Sequence, residues 1–204
     1  MPVEINIRWF ASRIEEHLTS ISLSQDQLKT LYAHFGILVR WNSKINLTSI
    51  RSPEEIVVRH YCESLFFAAN FSVAPKTIAD VGSGAGFPGF PLAVLKPNCH
   101  VTLVESHQRK AVFLRESTRG QANITVAAKR AEDLDCHFDW VVARAVALED
   151  VLALIPVLAP NIGLLIGGDD FQRTQRQAAI AWSAPISVPW ADSQLCVFGH
   201  LRST

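Results

Sequence analysis

The residues with the clearest chemical meaning run Asp80-Val81-Gly82-Ser83-Gly84-Ala85-Gly86-Phe87-Pro88-Gly89. Glycines at alternate positions let a backbone turn tightly and approach a ligand with no Cβ in the way. A dinucleotide fingerprint, G-x-G-x-x-G, needs its third glycine at position 87, which is phenylalanine here. A phosphate-gripping P-loop is excluded, because no Gly-Lys-Ser/Thr follows. Asp80 stands two residues before the first glycine, where its carboxylate attracts a cation and repels a pyrophosphate. Glu105 follows about twenty residues past the loop, where an acidic group accepts hydrogen bonds from ribose hydroxyls. Together these residues suit a positively charged, phosphate-free cofactor that carries a ribose. An ordinary strand-to-helix turn also uses glycine, but does not account for the two acids.

Such a loop is meaningful only between a strand and a helix. Thr77 to Val81 reads as a short buried strand ending at the glycines. Val101 to Glu105, Asn123 to Ala127, Asp139 to Ala143 and Ile162 to Ile166 read as four more. Helical patterns lie between most of them, as at His107 to Arg119 and Leu148 to Leu158. Ile186 to Val188 and Leu195 to Phe198 read as a closing hairpin. Alternating strands and helices predict a doubly wound, mostly parallel, seven-stranded Rossmann-like α/β sheet. Residues 1–75 instead read as a helical extension packed on a 76–204 core. Leu28, Leu31, Phe35, Leu38, Trp41 and Ile45 recur at helical spacing behind Ser24, a candidate N-cap. Ser52-Pro53-Glu54-Glu55 starts a second helix, running to about Asn70.

Lysine plus arginine number 19 and aspartate plus glutamate 19, a formal net charge of zero. Any nucleic-acid contact must therefore come from a local patch. Lys44, Arg51, Arg59, Arg109, Lys110, Arg115 and Arg119 are candidate rims. Cys62, Cys99, Cys136 and Cys196 are too scattered for a metal knuckle or a redox pair, and fit a reducing compartment. The start of the chain lacks the apolar run of a signal peptide. Leu152 to Gly168 is broken by Pro156, Pro160 and Asn161, so it reads as helix, turn and strand and not as a membrane span. These features predict a cytoplasmic, monomeric protein with no bound metal and no membrane partner.

The D-x-G-x-G-x-G pattern resembles the first motif of S-adenosylmethionine methyltransferases, in which the leading acid approaches the methionine ammonium. Further segments form an ordered set: Trp41-Asn42-Ser43-Lys44-Ile45-Asn46-Leu47-Thr48, Arg59-His60-Tyr61-Cys62-Glu63-Ser64, Leu103-Val104-Glu105-Ser106, Ala131-Glu132, and Phe138-Asp139 to Ala143-Arg144-Ala145. This set, over roughly residues 28 to 167, is similar to the RsmG (glucose-inhibited division protein B) family of bacterial small-subunit rRNA guanine-N7 methyltransferases. The resemblance implies S-adenosylmethionine as cofactor, S-adenosylhomocysteine as product and 16S rRNA of the small subunit as partner. Carried over residue by residue, its cofactor positions fall on Gly82, Phe87, Ala131, Glu132 and Arg144, with Arg144 beside the reaction centre; the loop reading adds Asp80, Gly84, Gly86 and Glu105 as cofactor contacts, and Arg144 and His60 are the candidate catalytic residues. Ala85 stands where the family usually has proline, and Glu63 where it usually has aspartate. After the fifth strand the family typically has Leu-Lys-Gly, and here Ile166-Gly167-Gly168 stands followed by Asp169-Asp170, so a basic residue expected at the active-site rim is replaced and two acids follow.

Guanine N7 attacks through an in-plane lone pair and releases no proton, so alignment matters more than a general base. Arg144 is read as a donor to guanine O6 or phosphate, or alternatively as a strand-end ion pair with Asp80 or Glu149. His60 and Ser64, four apart, are expected on one helix face, lining the mouth or packing the helix on the core. Two other readings stand beside this one. One is a same-fold methyltransferase acting on a small molecule or protein. The other is a relative that binds cofactor without catalysis.

Overall fold

The computed structural model describes residues 5–202. Three helical segments precede the sheet. Helix α1 spans Ile7–His17, with the Asn6 side chain accepting from the Arg8 and Trp9 amides at its start. Helix α2 spans Gln25–Asn42 behind Ser24, which forms a capping box with Gln27. Its Leu28, Leu31, Phe35 and Leu38 are buried along one face. Helix α3, Pro53–Ile56, opens with proline in the first turn behind Ser52. It runs through a π-helical stretch, Val57–Cys62, into α4, Glu63–Ala69.

The sheet then begins. Strand β1 is Thr77–Val81, followed by α5 (Gly89–Leu95), β2 (His100–Val104) and α6 (Gln108–Ser117). Next come β3 (Ile124–Ala127), β4 (Trp140–Arg144), α7 (Leu148–Leu158) and β5 (Asn161–Gly167). The chain closes with α8 (Gly168–Thr174), β6 (Ile180–Trp182), β7 (Ile186–Ser187) and β8 (Gln194–Leu201).

The strands order as β3-β2-β1-β4-β5-β8-β6, with β7 beside β8. Strands β1 to β5 are parallel, and β8 runs antiparallel to β5, β6 and β7. The expected closing hairpin is present, with Ile186 opposite Cys196. Strand β6, paired with β8, adds an eighth strand to the seven expected from the sequence. Asp169 and Asp170, read as replacing a basic rim, occupy the first turn of α8, where acids favour the helix dipole.

Each face of the sheet is covered. On one side a continuous apolar cluster joins Phe10, Leu31 and Tyr61 from the N-terminal helices to Leu92, Leu103 and Phe113. On the other, α7 packs Val151, Leu154 and Ile155 against Val141 and Ile162. The strand order reverses between β1 and β4, which opens a crevice at the carboxyl ends of the strands.

Candidate cofactor and substrate site

The glycine loop occupies that crevice. Gly82, Gly84 and Gly86 take φ of 68°, 58° and 92°, the left-handed region where a side chain is strained. A Cβ at Gly82 would stand 2.6 Å from Val146 Cγ2. At Gly84 the nearest atom is the Gly82 carbonyl oxygen at 3.7 Å, so this glycine faces open space. The loop is pinned to its neighbours: Ser83 N–H donates to the Val104 carbonyl at 3.0 Å, and Gly84 N–H to Glu105 Oε2 at 3.0 Å.

Asp80 lies beneath the loop, fully buried. Its Oδ2 accepts from the Ser83 hydroxyl at 2.6 Å and the Gly89 amide at 3.0 Å. Among the described residues its Oδ1 has no hydrogen-bond partner. Burial pushes the carboxyl up to about 7, against the pull of Ser83 and Gly89. Gly89 permits this contact, since a Cβ there would fall 2.6 Å from Asp80 Oδ2 and 2.5 Å from Leu103 Cδ2. Glu105 uses both oxygens on backbone: Oε2 on Gly84, and Oε1 on the His107 amide at 2.8 Å. Each oxygen keeps a further lone pair.

A cleft of about 150 Å³ runs along the carboxyl ends of β1 and β2, lined among others by Gly82, Ser106, Ala131, Glu132 and Val146. Ala131 is buried in the 3-10 turn Ala131–Asp133, and Glu132 beside it is exposed. A larger hollow, about 650 Å³, opens at the opposite ends of the strands, near Lys76, Asp139 and Trp182. None of the expected site residues lines it, so chemistry belongs at the carboxyl edge.

Phe87 is 6% exposed, its ring stacked on His60 at 4.7 Å and met edge-on by Tyr61 at 5.0 Å and His34 at 5.6 Å. It anchors the loop to the N-terminal helices. His60 Nε2 is hydrogen-bonded to Thr48 Oγ1 at 2.9 Å, and its buried Nδ1 has no partner among the described residues. Burial, then the nearby Arg144 and Arg59 charges, lower its pKa to about 3, so the ring is neutral near pH 7. The π-helical stretch interrupts the four-residue register expected to align His60 with Ser64. Ser64 is fully buried, and its hydroxyl has no partner among the described residues.

Arg144 ends β4 just before Ala145, whose φ of 54° turns the chain sharply. Its Nη2 donates to Glu63 Oε2 at 2.7 Å, and Nη1 to the Arg59 carbonyl oxygen. The expected ion pairs with Asp80 or Glu149 do not form; Glu149 pairs with Arg173 instead. Glu63, marked in the sequence only by standing where aspartate is usual, is the partner of Arg144. Burial raises the Glu63 pKa and the guanidinium opposes it. Of the candidate basic rim, Arg51 is tied to the Asn42 carbonyl and Asn46 side chain, while Arg59 is exposed beside the Arg144–Glu63 pair.

The sheet order and the glycine crevice define a methyltransferase-like fold. A SAM dependent methyltransferase from Aquifex aeolicus superposes with a TM-score of 0.58 at 13% identity, over 74% of this chain and 94% of that one. Residues 27–165 match the rRNA small subunit methyltransferase G (GidB) family, and the chain belongs to it. It is 45% identical over 139 residues to ribosomal RNA small subunit methyltransferase G of Stenotrophomonas maltophilia, an alignment covering 66% of this chain and 65% of the relative, just under two thirds of its length. The protein of the same name from Xanthomonas campestris pv. campestris is 38% identical over 190 residues, 87% of this chain and 88% of the relative.

Proposed function

We propose that this chain transfers the methyl group of S-adenosylmethionine to N7 of a guanine in 16S rRNA of the small ribosomal subunit. The observation that carries the reading is the glycine loop, with Asp80 and Glu105 around it, at the carboxyl edge of a sheet whose chain belongs to the methyltransferase G family. The residues fit the cofactor. Asp80 Oδ1 is a buried acceptor without a partner, suited to an ammonium. The open side of Gly84 is a place a Cβ would fill. Glu105 keeps lone pairs for ribose hydroxyls, and Ala131 and Glu132 border the cleft for the adenine edge.

When bound, the cofactor supplies a sulfonium methyl group and leaves as S-adenosylhomocysteine. The chain's own part is alignment, because N7 carries its lone pair in the ring plane and gives up no proton. His60 fits that role: neutral, bonded to Thr48 and stacked on Phe87, it holds the loop and does not remove a proton. Arg144 is the donor at the end of β4 for guanine O6. The N-terminal helices belong to the same working unit, since Phe87, His60 and Glu63 join them to the site.

The protein acts in the cytoplasm as a monomer in this reading. Its large exposed apolar side chains, Ile5, Val39, Val73, Val112 and Val157, are well separated along the chain, and no described helix is long and apolar enough to cross a membrane. The zero net charge favours one second reading, a methyltransferase acting on a small molecule or protein. Incubation with labelled S-adenosylmethionine and under-methylated small subunits, followed by separation of RNA from protein, tests both. Label in RNA supports the proposal; label in protein, or on added free nucleosides, supports the second reading.

A further inference from the structure

A second hollow, of about 280 Å³, opens beside the Arg144–Glu63 pair, bounded by Val58, Arg59, Glu63, Trp190, Asp192 and Gln194. Gln194 pairs with Gly167 at the carboxyl end of β5, and Arg144 lies at the carboxyl end of β4. The hollow is therefore on the same edge as the glycine loop, on the β4–β5 side. Its volume falls below that of drug-sized pockets and suits a single planar base. Residues 190–194 lie beyond the stretch matched to the family.

We propose that this hollow receives the target guanine, stacked on Trp190, with its Watson–Crick edge read by the Arg144–Glu63 pair; the inference rests on the methyltransferase reading above. Guanine presents an O6 acceptor beside N1–H and N2–H donors, so a donor and an acceptor held side by side complement it. Adenine presents the opposite order. Arg144 spends two of its five N–H donors on the Arg59 carbonyl and on Glu63, leaving others for O6. Glu63 gives Oε2 to Arg144, and among the described residues Oε1 has no hydrogen-bond partner. A guanine held by this edge keeps N7 uncovered, on the far side of O6. Trp190 is held by T-shaped contacts with His17 and Phe66 at 5.4 and 5.5 Å, and among the described residues its buried Nε1 donor has no partner.

The test measures methyl transfer to under-methylated small subunits, and S-adenosylmethionine affinity by calorimetry, for wild type, Trp190→Ala, Trp190→Leu and Trp190→Phe. Loss of one base stack lowers kcat/KM for the subunit about tenfold. That loss is expected in Trp190→Ala and in Trp190→Leu, which keeps apolar packing on Phe66 without an aromatic face. Trp190→Phe recovers most of the activity, and cofactor affinity stays within about twofold throughout. Leucine matching wild type overturns the subsite, as does a loss of cofactor affinity equal to the loss of transfer. Wild type that transfers no methyl group overturns the underlying methyltransferase reading, and the subsite with it.

Discussion

Arg144 at the end of β4 donates to Glu63 at the start of α4 across 2.7 Å and 81 residues of sequence, with side-chain exposures of only 11% and 3%. The pair fastens the N-terminal helices to the edge of the sheet where the glycine loop sits. A buried ion pair is poor at adding net stability, but breaking one strands a charge and costs about 3–5 kcal/mol.

Glu63→Ala therefore destabilises the fold by about 3 kcal/mol, read as a lower urea midpoint, because Arg144 keeps its charge inside. Glu63→Asp, the residue more usual in the resembling family, keeps the charge and loses less.

Two glycines are constrained in different ways. Gly84→Val sets a branched side chain at φ 58°, which strains the loop backbone by about 1–2 kcal/mol, and fills the open space beside it, so S-adenosylmethionine weakens by tenfold or more in calorimetry. Gly89→Ala drives a methyl group onto Asp80 and Leu103, and lowers stability by about 1–3 kcal/mol in thermal unfolding.

Two fully buried groups oppose each other in acid. Burial holds the Asp80 carboxyl at about 7, so the native state keeps a proton that the unfolded chain releases near the ordinary value of 3.8. Its stabilising contribution is complete below that lower value and disappears as pH rises toward 7. Burial lowers His34 to about 3, so its contribution is complete above 6.5 and is lost as pH falls. Each is worth about 1.4 kcal/mol per pH unit within its window. Relative to wild type, Asp80→Asn makes stability rise more steeply with pH between 4 and 7, and His34→Phe makes it rise less steeply below 6.5. Urea titrations at half-unit pH steps check both signs.

His60 is argued to position and not to move a proton. His60→Gln should reduce methyl transfer by less than about tenfold, whereas loss of a general base costs about 10²–10⁴-fold. A drop of that larger size, together with an acid limb in the wild-type pH profile that the variant loses, would make His60 a general base instead.

Much of the fold is legible locally. The Ser24 capping box, Pro53 in the first turn of its helix and the apolar runs at 77–81 and 162–166 are each written in adjacent residues. The glycine loop and Glu105 are legible for the same reason, because close backbone approach demands particular residue types at fixed spacing. What sequence hides depends on distant partners. Strand β6 has three residues and exists through pairing with β8 about twenty positions later. The π-helical stretch at Val57–Cys62 has no residue signature and shifts which side chains share a face. Glu63 finds Arg144, and Phe87 finds His60 and His34, only once the N-terminal helices have packed on the sheet.

The most direct measurement of the central claim is position-resolved. Small subunits from cells lacking this activity are incubated with the protein and S-adenosylmethionine carrying a labelled methyl group, and the 16S rRNA is digested to nucleosides. Label is expected as 7-methylguanosine from one site, abolished by Gly84→Val. Label in any other nucleoside, or none while the cofactor still binds, would contradict it.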